Sequence, residues 1–253
     1  MVIDTIRLAR RLVRAQLKRP FYILMAVSQP LIYLVFFGAM FSRTASAEMA
    51  GLSYVAYLTP GMTIMAALFG SAYLAAGTLA DAERSLFDSI VISPVSRWAI
   101  SLSYVAANLV PVLLQMLAVV VCGALLGGYP AGGAAGMIAT LLVGGLVAVA
   151  FGCVSNVAGF LVQRAQHVLS AMNFVVMPLM FVSGMLLKLT SMPSWMQQAA
   201  LFNPVHWGVL GAQAAYAGHW DLTAAHSLLW LAGFALLAVA AMHGAFLNYL
   251  LRR

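Results

Sequence analysis

The chain offers few side chains that could do chemistry, and their spacing does not form a known reactive site. Its only lysines are Lys18 and Lys188, and neither follows a glycine, so the phosphate-binding sequence GxxxxGK[ST] is absent. The sequence HExxH of zinc proteases and the sequence GxSG of intramembrane serine proteases are also absent. Nucleotide hydrolysis and these hydrolytic mechanisms are therefore not expected in this chain.

The histidines are the remaining candidates for acid–base chemistry. His206, His219 and His226 lie near Asp221 in the sequence, and a membrane-embedded enzyme would have to use this set. His226 and His243 lie 17 residues apart, and interfacial or bundle-facing positions are favoured for them over a proton relay. The two cysteines form no CxxC pair and no zinc-binding pattern.

The composition indicates a membrane environment for these residues. Of 253 residues, 64% are hydrophobic and 8% are charged, and the mean hydropathy is +0.98. An ordinary soluble domain is about 45–50% apolar and about 25% charged. A soluble enzyme, a disordered chain and a coiled coil are therefore excluded, which leaves a polytopic integral membrane protein. The net charge of +7 is attributed to cytoplasmic loops, and no nucleic-acid partner is expected.

Six apolar stretches are long enough to cross a bilayer, because a helix needs about 20 residues to span a hydrocarbon core of roughly 30 Å. They cover residues 21–42, 56–80, 99–126, 134–162, 167–187 and 224–250. None contains Asp, Glu, Lys or Arg, which ion-coupled carriers usually need at depth. The more polar stretch 189–220 is interpreted as an external interfacial or re-entrant segment. The predicted fold class is all-α integral membrane, with six transmembrane helices in one domain, 1–253.

The basic residues predict the orientation of these helices. With both termini in the cytoplasm, 11 of the 13 Lys and Arg residues lie inside, and only Arg43 and Lys188 lie outside. The basic start and the sequence Ala45-Ser46-Ala47 imitate a signal peptide. Because the first apolar run has about 21 residues, against about 7–15 in a signal peptide, an uncleaved first span is expected.

Residues 1–19 are interpreted as an amphipathic interfacial helix. Apolar and basic residues interleave at helical spacing, and such a helix lies in the headgroup layer of the membrane. The basic positions are Arg7, Arg10, Arg11, Arg14 and Lys18. Two roles stay open: binding of the basic face to anionic lipid or an acidic partner, and a topology determinant that touches lipid only.

A short amphipathic helix is also predicted on the cytoplasmic side, within residues 81–97 between the second and third spans. Its apolar side chains share one face, charged side chains occupy another, and a proline ends it. Nothing else in the chain is available to cover the apolar face, so docking on another protein is favoured over a solvated loop helix. The residues assigned to this contact are Glu83, Arg84, Leu86, Phe87, Asp88, Ile90 and Pro94.

Small residues recur at steps of four along the fourth span. This ladder consists of Gly136, Thr140, Gly144, Ala148 and Gly152. A surface of small residues allows another helix to approach closely. Packing within the chain is favoured for it, and a contact between two copies is the alternative.

Short motifs separate the fifth and sixth spans. They are Phe181-Val182-Ser183-Gly184-Met185, Met192-Pro193-Ser194-Trp195 and Asn203-Pro204-Val205-His206-Trp207. The chain resembles the permease subunits of type-2 ABC exporters, the class of daunorubicin-resistance and nodulation-factor permeases, over essentially its whole length. The resemblance rests on these motifs, on the loop 81–97 and on Tyr57-Leu58-Thr59-Pro60-Gly61. The external-segment positions that the resemblance assigns are Ser183, Gly184, Pro193, Trp195, Asn203 and Pro204. One departure concerns the docking register: Ser85-Leu86-Phe87-Asp88 stands where the family often has Gly-Thr-Leu-Glu.

The resemblance implies an assembly in the bacterial inner membrane. Two six-span permeases, expected to be identical, would surround a central cavity flanked by the first, second and fifth spans, and two copies of a separate ATPase subunit would drive alternating access. ATP and Mg would be bound by the ATPase, and no cofactor is expected in this chain.

The expected function is export of a hydrophobic or amphipathic small molecule, such as a drug, an antibiotic or a lipid, because the external loops are short and the spans carry no charge. A polysaccharide or lipo-oligosaccharide exporter of the same class is the alternative. A polytopic membrane enzyme and a structural or assembly protein are the two competing classes.

Overall fold

The computed structural model describes residues 9–10, 12–14, 20–41, 53–83, 97–162 and 164–251. Regular structure in this part of the chain is helical, without a strand, as the composition predicts. Residues 9–10 and 12–14 are helical. The longer helices are α1 (Pro20–Phe41), α2 (Tyr54–Glu83), α3 (Arg97–Leu125), α4 (Gly133–Val162), α5 (Ala165–Phe181), α6 (Ser194–Leu201), α7 (Pro204–Ala217) and α8 (Leu222–Leu251), with a 3₁₀ turn at Leu189–Ser191 before α6.

Contacts at the two ends of the bundle fix the relative directions of the helices. At one end, the Tyr54 hydroxyl at the start of α2 donates a hydrogen bond to the Leu186 carbonyl beyond α5 (3.0 Å), and the ring of Tyr54 packs on Phe41 at the end of α1. At the other end, Trp98 at the start of α3 stacks on His243 near the end of α8, with ring centroids 3.5 Å apart. We call these the Tyr54 end and the Trp98 end. The charge pattern predicts that the Tyr54 end faces outward.

Helix α2 forms the centre of the bundle. It packs against α1, α3, α4, α5 and α7, and every residue from 58 to 71 is buried. Its buried threonine hydroxyls are satisfied within the helix, since Thr59 donates to the Val55 carbonyl (2.7 Å) and Thr63 to the Thr59 carbonyl (2.8 Å). A helix that is covered on all sides needs no polar face, which explains why this span lacks amphipathic periodicity.

Most of α2 is buried within the chain. Residues 58–71 present no exposed surface, so the second span could line a cavity between two copies only outside that stretch, and the cavity itself stays a prediction. In contrast, α1 exposes 70% of Phe36 and α5 exposes 81% of Phe174. Two of the three helices expected there, α1 and α5, therefore carry large exposed side chains among the described residues.

The ladder of small residues on α4 packs within the chain, as the sequence favours, and all five residues are buried. A Cβ atom added to Gly136 would lie 2.5 Å from the carbonyl oxygen of Ala215 on α7. The Thr140 hydroxyl lies 3.3 Å from the Ala212 carbonyl on the same helix. Further along, Gly144 and Gly152 face α3 and α2. The ladder thus allows three neighbouring helices to approach α4.

Three described helical segments are both long and apolar enough to cross a membrane: Arg97–Leu125, Gly133–Val162 and Leu222–Tyr249. Two further apolar segments, Val27–Phe41 and Gln166–Phe181, are shorter. Large hydrophobic side chains are exposed on α1, α3, α5 and α8, an arrangement typical of lipid or subunit contact. The count of six spans stays a prediction.

The fifth predicted span is shorter than the sequence suggested. Helix α5 ends at Phe181, six residues before the predicted boundary at 187, and its 17 residues cover only roughly 25 Å. The chain then turns at Gly184, where φ is +70°.

The segment 189–220 divides into an exposed part and an inserted part. In α6 the described buried residue is Ala200, whereas α7 packs against α2, α4 and α8. Helix α7 runs antiparallel to α4, and its Gly208 lies against Val147 near the middle of α4. Helix α7 therefore starts at mid-height in the bundle and runs toward the Tyr54 end. The interfacial reading fits α6, and the re-entrant reading fits α7.

Candidate functional site

The turn after α5 is the centre of the candidate site. The Ser183 hydroxyl donates to the Met180 carbonyl (2.6 Å) and so closes the end of α5. Gly184 follows with φ of +70°, a left-handed conformation that glycine adopts without steric cost. Both residues are buried, although they lie in a connection between helices. The turn is therefore held by the bundle rather than by solvent.

Asn203 connects this turn to the start of α7. Its side-chain oxygen accepts a hydrogen bond from the Val205 backbone N–H (2.9 Å), which caps the helix, and Pro204 occupies the first turn. Its side-chain nitrogen donates to the Leu179 carbonyl in the last turn of α5 (2.6 Å). The buried Asn203 amide thus bonds to one backbone group at each of two helix ends, where backbone groups lack a partner within the helix.

His206 adds a second bond between the same elements. Its Nδ1 lies 2.7 Å from the Ser183 carbonyl oxygen, which can only accept, so Nδ1 carries the proton. His206 is buried, and its Nδ1–H acts as a fixed donor to the turn.

Two tyrosines and a glycine of α2 complete the cluster. The Tyr57 hydroxyl donates to the Gly184 carbonyl (2.7 Å), beside the bond from Tyr54 to Leu186 (3.0 Å). A Cβ atom on Gly61 would lie 2.9 Å from the Met185 carbonyl oxygen, so only glycine lets the turn approach α2 this closely. We call the whole cluster the α5–α7 junction. It consists of Tyr54, Tyr57, Gly61, Leu179, residues 183–186, Asn203 and His206.

The junction brings together four of the six predicted external positions and separates two. Ser183, Gly184, Asn203 and Pro204 belong to it or adjoin it. Pro193 is exposed at the N-cap of α6, and Trp195 is 64% exposed. The role of Tyr54, Tyr57 and Gly61 was not foreseen. Their signal was their spacing at steps of three and four, which places them on one face of a helix.

The histidines considered for catalysis do not converge. The Asp221 carboxylate accepts from the Ala224 backbone N–H (2.7 Å) and caps α8, while His219 and His226 are exposed. His243 lies 17 residues along α8 from His226, roughly 25 Å away. Among the described residues, no group of three or more His, Cys, Asp and Glu side chains could hold a metal. The geometry of the junction supports a mechanical role, since its groups bind backbone atoms.

Residues 4–217 match the family described as ABC-2 type transporter. The chain belongs to this family. The matched stretch ends at the last residue of α7 and includes the whole junction. As an ABC-2 type transporter permease, the protein is a multi-pass membrane transport protein rather than an enzyme, and the resemblance found in the sequence is confirmed.

Individual relatives agree with this assignment. The chain is 27% identical over 219 residues to a protein described as transport permease ycf38 from Pyropia yezoensis, which covers 85% of this chain and 75% of that one. The identity to its counterpart from Porphyra purpurea is 26% over the same length and coverage. The chain is also similar to the daunorubicin resistance ABC transporter permease protein DrrB1 of Streptomyces coeruleorubidus, with 23% identity over 206 residues, 80% of this chain and 72% of that one.

The residues predicted to contact an ATPase lie almost entirely outside the described part of this ABC-2 permease. Glu83 is the last residue of α2, whereas Arg84, Leu86, Phe87, Asp88, Ile90 and Pro94 fall in the undescribed range 84–96. In the predicted interfacial helix, Arg10 and Arg14 are helical and exposed, and Arg7, Arg11 and Lys18 lie outside the described residues. The docking and membrane-surface roles of these residues stay predictions.

Proposed function

We propose that this protein is the membrane-spanning permease subunit of an ATP-driven ABC exporter in the bacterial inner membrane. The observation that carries the proposal is the family match over residues 4–217, which includes the predicted coupling loop and the α5–α7 junction. Two copies of the permease and two copies of a separate ATPase form the transporter. ATP and Mg are bound by the ATPase, and this chain supplies the path across the bilayer.

The proposed topology has six spans and two cytoplasmic termini. The opposite directions of neighbouring helices and the apolar surfaces of α1, α3, α5 and α8 support it. Because α5 covers only roughly 25 Å, we propose that α5 and α7 together complete the fifth layer of the bundle, with the junction joining them.

The proposed cargo is a hydrophobic or amphipathic small molecule. The charge-free predicted spans favour such a cargo, and the name of the Streptomyces relative, a daunorubicin resistance permease, supports it. In the proposed cycle, ATP binding moves the coupling helix between the second and third spans. The junction keeps α2, α5 and α7 together while α1 and α5 change their contacts with the second copy.

Transport and stoichiometry test the proposal together. The permease should co-purify with its ATPase as two copies of each, and inside-out vesicles containing both should accumulate daunorubicin when given ATP and Mg. Vesicles with an ATPase variant that lacks its phosphate-binding lysine are the control and should not accumulate it. Accumulation that needs no ATP and collapses with the proton gradient, or a transporting one-to-one complex, would contradict the proposal.

A further inference from the structure

A cavity of about 140 Å³ opens at the Tyr54 end of the bundle, beside the junction, with which it shares Tyr57. It lies between the start of α2, the connection from α3 to α4, the connection from α5 to α6, and the end of α7. Its volume is roughly ten times the space that one water molecule requires. It is large enough for a compact polar headgroup and too small for a whole drug or lipid molecule.

The walls of this cavity are mainly aromatic and small apolar groups. The Tyr57 hydroxyl is bonded to the Gly184 carbonyl (2.7 Å) and the Tyr216 hydroxyl to the Gly128 carbonyl (2.5 Å). These two tyrosines therefore present their rings rather than their hydroxyl groups. Tyr129, which is 72% exposed, lies at the rim.

Two polar side chains distinguish the cavity from a simple apolar recess. Lys188 lines it with a positive charge, and among the described residues this lysine forms no ion pair. Gln213 also lines it. The amide nitrogen of Gln213 is buried beside the Tyr57 hydroxyl, whose oxygen can accept from it while its proton goes to the Gly184 carbonyl.

The electrostatic balance of this end favours an anion. Among the described residues at the Tyr54 end, Asp221 is the one carboxylate, and it accepts the Ala224 N–H at the start of α8. Lys188 is an exposed cation with three donors that lines the cavity, and it matches the oxygen atoms of a phosphate group.

We propose that this cavity binds the phosphate of an anionic amphiphile, with Lys188 as the counter-ion. The aromatic and small apolar walls contact the glycerol part of such a molecule, and the open side at Tyr129 lets its acyl chains extend along the bundle. The site is separate from the surfaces of α1 and α5 that would face a second copy, so this inference does not depend on the transport function.

Binding to the purified full-length permease tests the proposal without an ATPase. Delipidated protein in neutral detergent is titrated with dihexanoyl phosphatidylglycerol, with dihexanoyl phosphatidylcholine and with inorganic phosphate, and bound molecules are counted by native mass spectrometry. Lys188→Gln should raise the Kd for phosphatidylglycerol about tenfold. Arg164→Gln, which removes an exposed charge at the Trp98 end, is the matched control and should leave this Kd unchanged.

A second variant tests the cavity itself without changing charge. Ala131→Phe places a ring in the cavity from an exposed turn, where folding tolerates it, and should weaken phosphatidylglycerol binding as Lys188→Gln does. Binding of inorganic phosphate that depends on Lys188 would identify a free anion as the source, and binding of phosphatidylglycerol alone would identify a lipid; either result supports a phosphate site. Equal Kd values for wild type, Lys188→Gln and Ala131→Phe would overturn the proposal.

Discussion

At the scale of single residues, the α5–α7 junction depends on a few groups that have no substitute. Gly184 supplies a left-handed backbone, Asn203 joins two helix ends, and His206 donates to the Ser183 carbonyl. The Asn203 and His206 side chains both bond to the backbone of the bundle. Their value lies in fixing the position at which α5 stops and α7 begins.

Gly184→Ala should destabilise the protein by about 1–2 kcal/mol, because alanine in a left-handed conformation pays a steric cost that glycine does not. The added Cβ would meet His206 Nδ1 only at 3.6 Å, so the backbone rather than crowding sets the penalty. Gly233→Ala in α8 is the matched control, since a Cβ there has nothing within 4 Å. The midpoint temperature of thermal unfolding in detergent should fall for Gly184→Ala and not for Gly233→Ala. Equal midpoints in the two variants would contradict a steric cost at Gly184.

His206 should stabilise the junction through its bond to the Ser183 carbonyl. His206→Leu removes the donor and leaves that buried carbonyl without its partner, which should cost about 1–3 kcal/mol. His219→Leu, at an exposed position, is the control and should leave the unfolding temperature in detergent unchanged. An unfolding temperature that does not fall in His206→Leu would contradict a structural role for this bond.

Parts of this chemistry are readable in the sequence. Asn203-Pro204 has the composition of a helix start, because asparagine caps a helix and proline fits its first turn, and α7 begins at Pro204. The bond between Tyr57 and Gly184 is not readable, because it joins residues 127 positions apart and depends on how α2 packs. Local residue types thus indicate where helices begin and end. The contacts that these helix ends make with other helices depend on tertiary packing.

At the scale of elements, the boundary of the fifth helix shows where counting apolar residues fails. The stretch without charges runs on to Lys188, but α5 ends at Phe181. Ser183-Gly184 contained the stop signal, since a glycine in left-handed conformation commonly follows a helix. A count of apolar residues does not reveal this helix end, because serine and glycine are too weakly polar to interrupt an apolar stretch.

In the predicted coupling helix, apolar burial should contribute more to ATPase binding than ion pairs do. Burying a side chain such as Phe87 contributes about 1.5–3 kcal/mol, and an exposed ion pair contributes about 0–1 kcal/mol. Phe87→Ala should therefore weaken ATPase binding and uncouple hydrolysis from transport, and Glu83→Ala should have the smaller effect on binding. Both are checked by co-purification of the ATPase and by substrate-stimulated hydrolysis. If Glu83→Ala abolishes binding while Phe87→Ala does not, the ranking is wrong, and if neither has an effect the loop is not the coupling element.

At the scale of the whole molecule, the charge bias predicts the topology. With 11 of 13 basic residues on one side, both termini should be cytoplasmic. A reporter fused after Arg253 should be active only in its cytoplasmic form, and one inserted after Glu48 only in its external form. An external signal at Arg253 would contradict the six-span arrangement.

The complete burial of residues 58–71 has a consequence for biosynthesis. Helix α2 leaves the ribosome before α4, α5 and α7 exist, so lipid must cover its threonines and glycines until those helices arrive. A chain that stops before α7 leaves this central helix, and the small-residue ladder of α4, without their partners. Such an incomplete chain presents to membrane quality-control proteases the surface that the finished protein hides, so we expect truncated products to be degraded rather than to accumulate.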